Sequence, residues 1–144
     1  MHTDAEKIAH KVKYEWKMFD WLAQRIANEY KASSQQEQNL LTEDFLLHAR
    51  VLCDFFVRNP KNDHVSARHF FKQESTWTSE SNSLCAYLQQ NRIRLNKKLA
   101  HLTYSRLKLD EQWDFSAIRN EISDAWSKFC SMLTDPARQW LGRN

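Results

Sequence analysis

An all-α fold, a four-helix up-and-down bundle with short additional helical turns, is predicted from three observations. The 144 residues include one glycine, Gly142, and two prolines, Pro60 and Pro136. Tight β-hairpins need residues tolerant of positive φ, so this poverty disfavours sheets. Apolar residues recur at steps of three and four over four long stretches, the period of an amphipathic helix. Polar segments separate those stretches, and no internal repeat or linker divides them, so residues 1–144 read as one helical-bundle domain.

The first helix opens at Thr3, which with Glu6 has capping-box spacing. It continues through Ile8, Val12, Trp16, Phe19, Ala23, Ile26 and Tyr30. Residues Lys31 to Gln38 lack that period and form a connection. The second helix carries Leu41, Phe45, His48, Leu52 and Phe55 on one seam. His48 thus stands where an apolar side chain is expected, as a hydrogen-bonded interior histidine or a pocket group. Arg50 and Asp54, four apart on another face, are spaced to pair.

Arg58-Asn-Pro-Lys-Asn-Asp-His64 ends the second helix, since proline drives the residue before it out of helical geometry. Asp63 can cap a short turn carrying Val65, Ala67, Phe70 and Phe71, with the two phenylalanines closing one end of the bundle. Lys72 to Ser83 reads as a second connection anchored by Trp77. A third helix is predicted from about Ser83 through Leu102, extending toward Arg106. At about 100° per residue, Leu84, Leu88, Leu95, Leu99 and Leu102 fall in a band roughly 60° wide. Arg94 and His101 lie together on an edge beside it. The fourth helix holds Phe115, Ile118, Ile122, Ala125, Trp126, Phe129 and Leu133 behind a cap at Asp114 or Ser116. Asp135-Pro136 starts a last turn in which Trp140 and Leu141 fold back on the bundle.

The formal charge of +3 arises from 21 basic and 18 acidic residues spread along the chain. This permits a nucleic-acid partner without demanding one. The nearest approach to a basic patch is Arg92, Arg94, Lys97, Lys98, Arg106 and Lys108. Cys53, Cys85 and Cys130 are odd in number and far apart, and read as buried reduced thiols. No run of 18 apolar residues exists and the N-terminus lacks the apolar core of a secretion signal, so a cytoplasmic protein without a membrane partner is expected.

Several chemistries lack their residues. There is no Gly-rich phosphate loop, Gly-x-Ser-x-Gly elbow, Cys-x-x-Cys pair or His-Glu-x-x-His helix, nor the paired Glu-x-x-His of di-iron bundles. Asp63, His64 and His69 match no closed zinc pattern. No metal and no cofactor are expected.

The run Arg94-Leu-Asn-Lys-Lys-Leu-Ala-His101 resembles the signature of the HEPN superfamily, helical bundles in which an arginine followed four to six residues later by histidine forms a metal-independent ribonuclease site. Six residues separate the pair here, and Asn96 stands where the commonest form, Arg-Asn-x-x-x-His, has its arginine. Arg58 to His64 meets the same spacing. Together with Leu47 to Phe56, the Asn-Lys-Lys-Leu-Ala-His segment also resembles a group of uncharacterised bacterial helical proteins. The resemblance implies an endoribonuclease in a toxin or defence setting. His101 would move the proton and Arg94 would stabilise the phosphorane charge, while Asn96 orients either group. Lys97, Lys98 and Arg106 would hold neighbouring phosphates, and a homodimer would bring two motifs together. The alternative is a catalytically inactive bundle that binds RNA or a partner protein in a regulatory role. His48 and Arg50 would share a pocket with Arg94 and His101 if the second and third helices face one cavity.

Overall fold

The computed structural model describes residues 3–58, 63–100 and 113–142. Among them are seven α-helices, two 3₁₀ turns and no strand. Thr3 accepts the Glu6 N–H at 3.2 Å and opens α1 (Asp4–Glu29). A 3₁₀ turn over Tyr30–Ala32 leads into α2 (Gln35–Val57), whose cap Ser34 accepts the Glu37 N–H at 3.2 Å. The expected connection through Gln38 is therefore shorter, because Ser34 supplies a helix start inside it.

Helix α2 is the hub, packed on α1, α5 and α6 with smaller contacts to α3 and α4. Its seam residues Leu41, Phe45, Leu52 and Phe55 are buried, as are Phe19, Leu22 and Ile26 of α1. The chain leaves α2 at Arg58 in extended backbone, φ −80° and ψ 144°, two residues before Pro60. The following 3₁₀ turn, Ala67–Phe70, is capped by Ser66 rather than Asp63, and Ser66 N–H donates to His69 Nδ1 at 3.1 Å. The side chain three residues after Ser66 closes the box, which Asp63 stands too early to do.

Two expectations need correction between residues 72 and 100. The stretch read as a connection contains α3 (Ser75–Ser81), ordered by Trp77, which is 1% exposed and donates its indole N–H to the Phe56 carbonyl at 2.8 Å. Phe71 stacks on Trp77 at 5.8 Å, and Phe129 meets it edge-on at 5.6 Å. Burying one large aromatic among others holds a polar segment whose own propensity is weak. The third helix is also broken. Cys85 sits in the left-handed region at φ 56°, so α4 (Ala86–Gln90) starts afresh after it. Asn91, at φ −100° and ψ 14°, then separates α4 from α5 (Arg92–Ala100), its side-chain amide donating to the Tyr87 carbonyl at 2.8 Å. The leucine band survives these breaks: Leu88 and Leu95 are buried, and Leu84 and Leu99 pack against the core. Leu102 lies outside the described residues.

Cys85 brings no side-chain cap to α4, and Glu121 supplies one from another helix. Its carboxylate accepts the Tyr87 N–H at 2.5 Å and the Leu88 N–H at 3.3 Å. Glu121 belongs to α6 (Phe115–Met132), capped by Asp114, which accepts the Ala117 N–H at 2.9 Å. The chain closes in α7 (Ala137–Leu141) against α1. Tryptophan use is less uniform than an aromatic core implies. Trp77, Trp113 and Trp126 are buried, while Trp21 is half exposed beneath the Arg25 guanidinium.

Candidate functional site

Two regions come into question, the α5 edge and a cleft between α1 and α2. On α5 two of the basic residues, Arg92 and Arg94, are engaged with other parts of the fold. Arg92 is ion-paired with Asp54 of α2. The Arg94 guanidinium lies 3.9 Å from the ring centre of Trp113, itself 6% exposed, a cation–π contact that ties α5 to the entrance of α6. Lys97 and Lys98 are half-buried. Asn96 places its side-chain oxygen in a buried position where it finds no hydrogen-bond partner among the described residues. His101 and Arg106 lie outside the described residues, as does Lys108.

His48 faces α1. Its Nδ1 donates to Glu15 Oε2 at 2.5 Å, and its ring meets Tyr14 edge-on at 6.3 Å. This is the hydrogen-bonded histidine its place on an apolar seam suggests. The side-chain contacts of His48 run to Glu15 and Tyr14 of α1, whereas the guanidinium of Arg94 meets Trp113. Asp54 does not take Arg50 as its partner. It is paired instead with Arg58, one turn further along α2 at 3.4 Å, and with Arg92 across the helix interface. The interhelical cation reaches the carboxylate from outside α2, which spacing within one helix cannot reveal.

The cleft encloses about 560 Å³ between α1, α2 and the segment at 64–66. Ile8, Val12, Val51, Leu52, Phe55 and Val65 supply apolar walls. Lys11, Glu15, Asp54, Arg58 and His64 supply charge or polarity. Arg58 and His64, the second pair at the Arg-to-His spacing, thus share one cleft wall system. Tyr14 and Val51 are 54% and 41% exposed at its edge, so solvent reaches the apolar lining.

The three cysteines are free thiols. The neighbouring Cys53 thiol first, and burial second, push the Cys85 thiol well above its ordinary range. Burial pushes Cys130 up to about 11, opposed by Lys13. Thiols held protonated in this way are poor nucleophiles. Among the described residues no three His, Cys, Asp or Glu side chains gather as a metal ion would need. No helix among them is long and apolar enough to cross a membrane.

Comparison with protein-family models, with curated proteins and with solved structures finds no match to the chain.

Proposed function

We propose that this chain acts by binding, and that its binding site is the α1–α2 cleft. The observation that carries this reading is the cleft itself: about 560 Å³ of solvent-reached space with apolar walls and a few polar groups. Sites for small molecules commonly fall between roughly 300 and 1,000 Å³ and share that composition. The four long helical segments, with α4 and α5 taken as one broken element, supply the bundle frame that holds the two walls. A neutral dye that fluoresces in apolar surroundings, N-phenyl-1-naphthylamine, tests the site. We expect saturable one-to-one binding by the folded protein and its loss in Val51→Phe, which places a ring at the exposed edge of the cleft. Dye binding that survives this substitution unchanged contradicts the reading.

A second reading is the metal-independent endoribonuclease of HEPN-like type, acting through Arg94, Asn96 and His101 as a homodimer in the cytoplasm. One observation favours it. Asn96 presents a buried oxygen that no described residue satisfies, and such groups need an explanation. Incubating the protein with mixed RNA in chelator tests this reading. Cleavage that His101→Ala and Arg94→Ala each abolish selects the nuclease; its absence leaves the binding function. RNA retained without cleavage would make the α5 edge an RNA-binding surface.

A further inference from the structure

We infer that the ligand of the α1–α2 cleft is an amphipathic monoanion, a carboxylate carried on a hydrocarbon or aryl body. This rests on the binding reading above and adds the chemistry that the cleft selects.

Both acids of the cleft already hold donors. Glu15 accepts from His48, which stands outside the lining, and Asp54 is paired with Arg58 and with Arg92, also outside it. Lys11 is exposed and makes no ion pair among the described residues. The lining holds two cations, Lys11 and Arg58, against two carboxylates, and Arg92, pairing with Asp54 from outside it, leaves one cation in excess for a ligand anion. A ligand ammonium would meet carboxylates whose donors it must displace.

The two cations of the lining stand on either side of Ile8 and Phe55. Helices α1 and α2 run antiparallel across a short turn, and the Glu15–His48 contact fixes their register. Lys11, one turn before Glu15, comes level with Leu52, one turn after His48. Arg58 closes α2 beyond Phe55, and His64 follows it in the lining. A carboxylate held between the long side chains of Lys11 and Arg58 leaves its apolar body over Val12, Val51 and Leu52. The Arg58 side chain is half exposed and only 3.4 Å from Asp54 in a contact of surface type, so it can turn to a ligand at small cost.

Displacement of the naphthylamine dye by three ligands of equal chain length tests the inference: octanoate, octanol and octylamine, each below its micellar concentration. Octanoate is expected to compete about tenfold better than octanol, as two exposed charge contacts allow. Octylamine should be weakest. In Lys11→Gln/Arg58→Gln the octanoate advantage should fall to about onefold to threefold while octanol is unchanged, because the apolar walls remain. Equal competition by all three ligands overturns the anion selectivity while leaving the cleft as a binding site. A preference for octylamine overturns it in favour of Glu15 and Asp54. Octanoate preference that persists in the double variant overturns the placement of the headgroup. Failure of the dye itself to bind would overturn the binding reading and this inference together.

Discussion

His48 Nδ1 donates to Glu15 Oε2 across 2.5 Å, so a histidine on an apolar helix seam is matched by a carboxylate on the facing helix. Both side chains are mostly buried, 13% and 26% exposed. Removing the histidine takes from the half-buried Glu15 carboxylate its donor on the facing helix. His48→Ala should lower unfolding free energy by about 1–3 kcal/mol. His48→Gln, which retains a donor of similar reach, should recover at least half. Urea unfolding followed by tryptophan fluorescence measures both, and an alanine variant as stable as the parent would deny the pair any part in joining α1 to α2.

The Arg94–Trp113 contact makes a separate claim, that this arginine contributes to folding. A double-mutant cycle with Arg94→Met and Trp113→Leu should return a coupling of about 0.5–2 kcal/mol, the range of cation–π contacts that are partly desolvated. A coupling near zero would deny the contact between Arg94 and Trp113 a part in folding.

Cys85 adopts φ 56° without being glycine, and its side chain is 3% exposed. Backbone preference and apolar packing then predict opposite orders of stability. Cys85→Gly relieves the conformation but deletes a buried side chain, and should stay near the parent. Cys85→Val keeps apolar volume but puts a β-branched residue in the left-handed region, and should be about 1–3 kcal/mol less stable. The opposite order by thermal or urea unfolding would place packing above backbone strain at this turn.

Alkaline pH should weaken the fold through its thiols. Cys130 is held protonated by burial up to about 11, whereas the unfolded chain releases that proton near the ordinary value of 9. Over that window the unfolded state binds fewer protons, so unfolding free energy falls as pH rises. Cys85 is shifted in the same direction. Unfolding midpoints between pH 7 and 11 should drop less steeply above 9 in Cys130→Ser than in the parent. Parallel curves would show that this thiol does not titrate differently on folding.

Periodicity carried the helical architecture well, because burial acts on whole faces. Leu88 and Leu95 are core residues as their spacing predicts. The breaks within that helix were illegible, since a single left-handed residue at Cys85 or a local turn at Asn91 leaves the leucine spacing nearly intact. Helix α3 was missed because its order comes from one buried tryptophan and the Phe56 carbonyl, a partner 21 residues away. Asp54 was spaced for Arg50, but α5 delivered Arg92 to it. The cleft had no local signature at all. Glu15 and His48 stand 33 residues apart and meet only through the packing of α1 on α2. Arg94 and Asn96 could be placed, whereas His101 and Arg106 lie outside the described residues.

Binding at the α1–α2 cleft is tested most directly by titrating isotope-labelled full-length protein with octanoate and following its backbone amide resonances. Saturable shifts should be confined to 8–15 of α1, 51–58 of α2 and 64–66, with α7 and the far end of α6 unmoved. Shifts centred on Arg94 to Lys98, or no shifts at all, would contradict it.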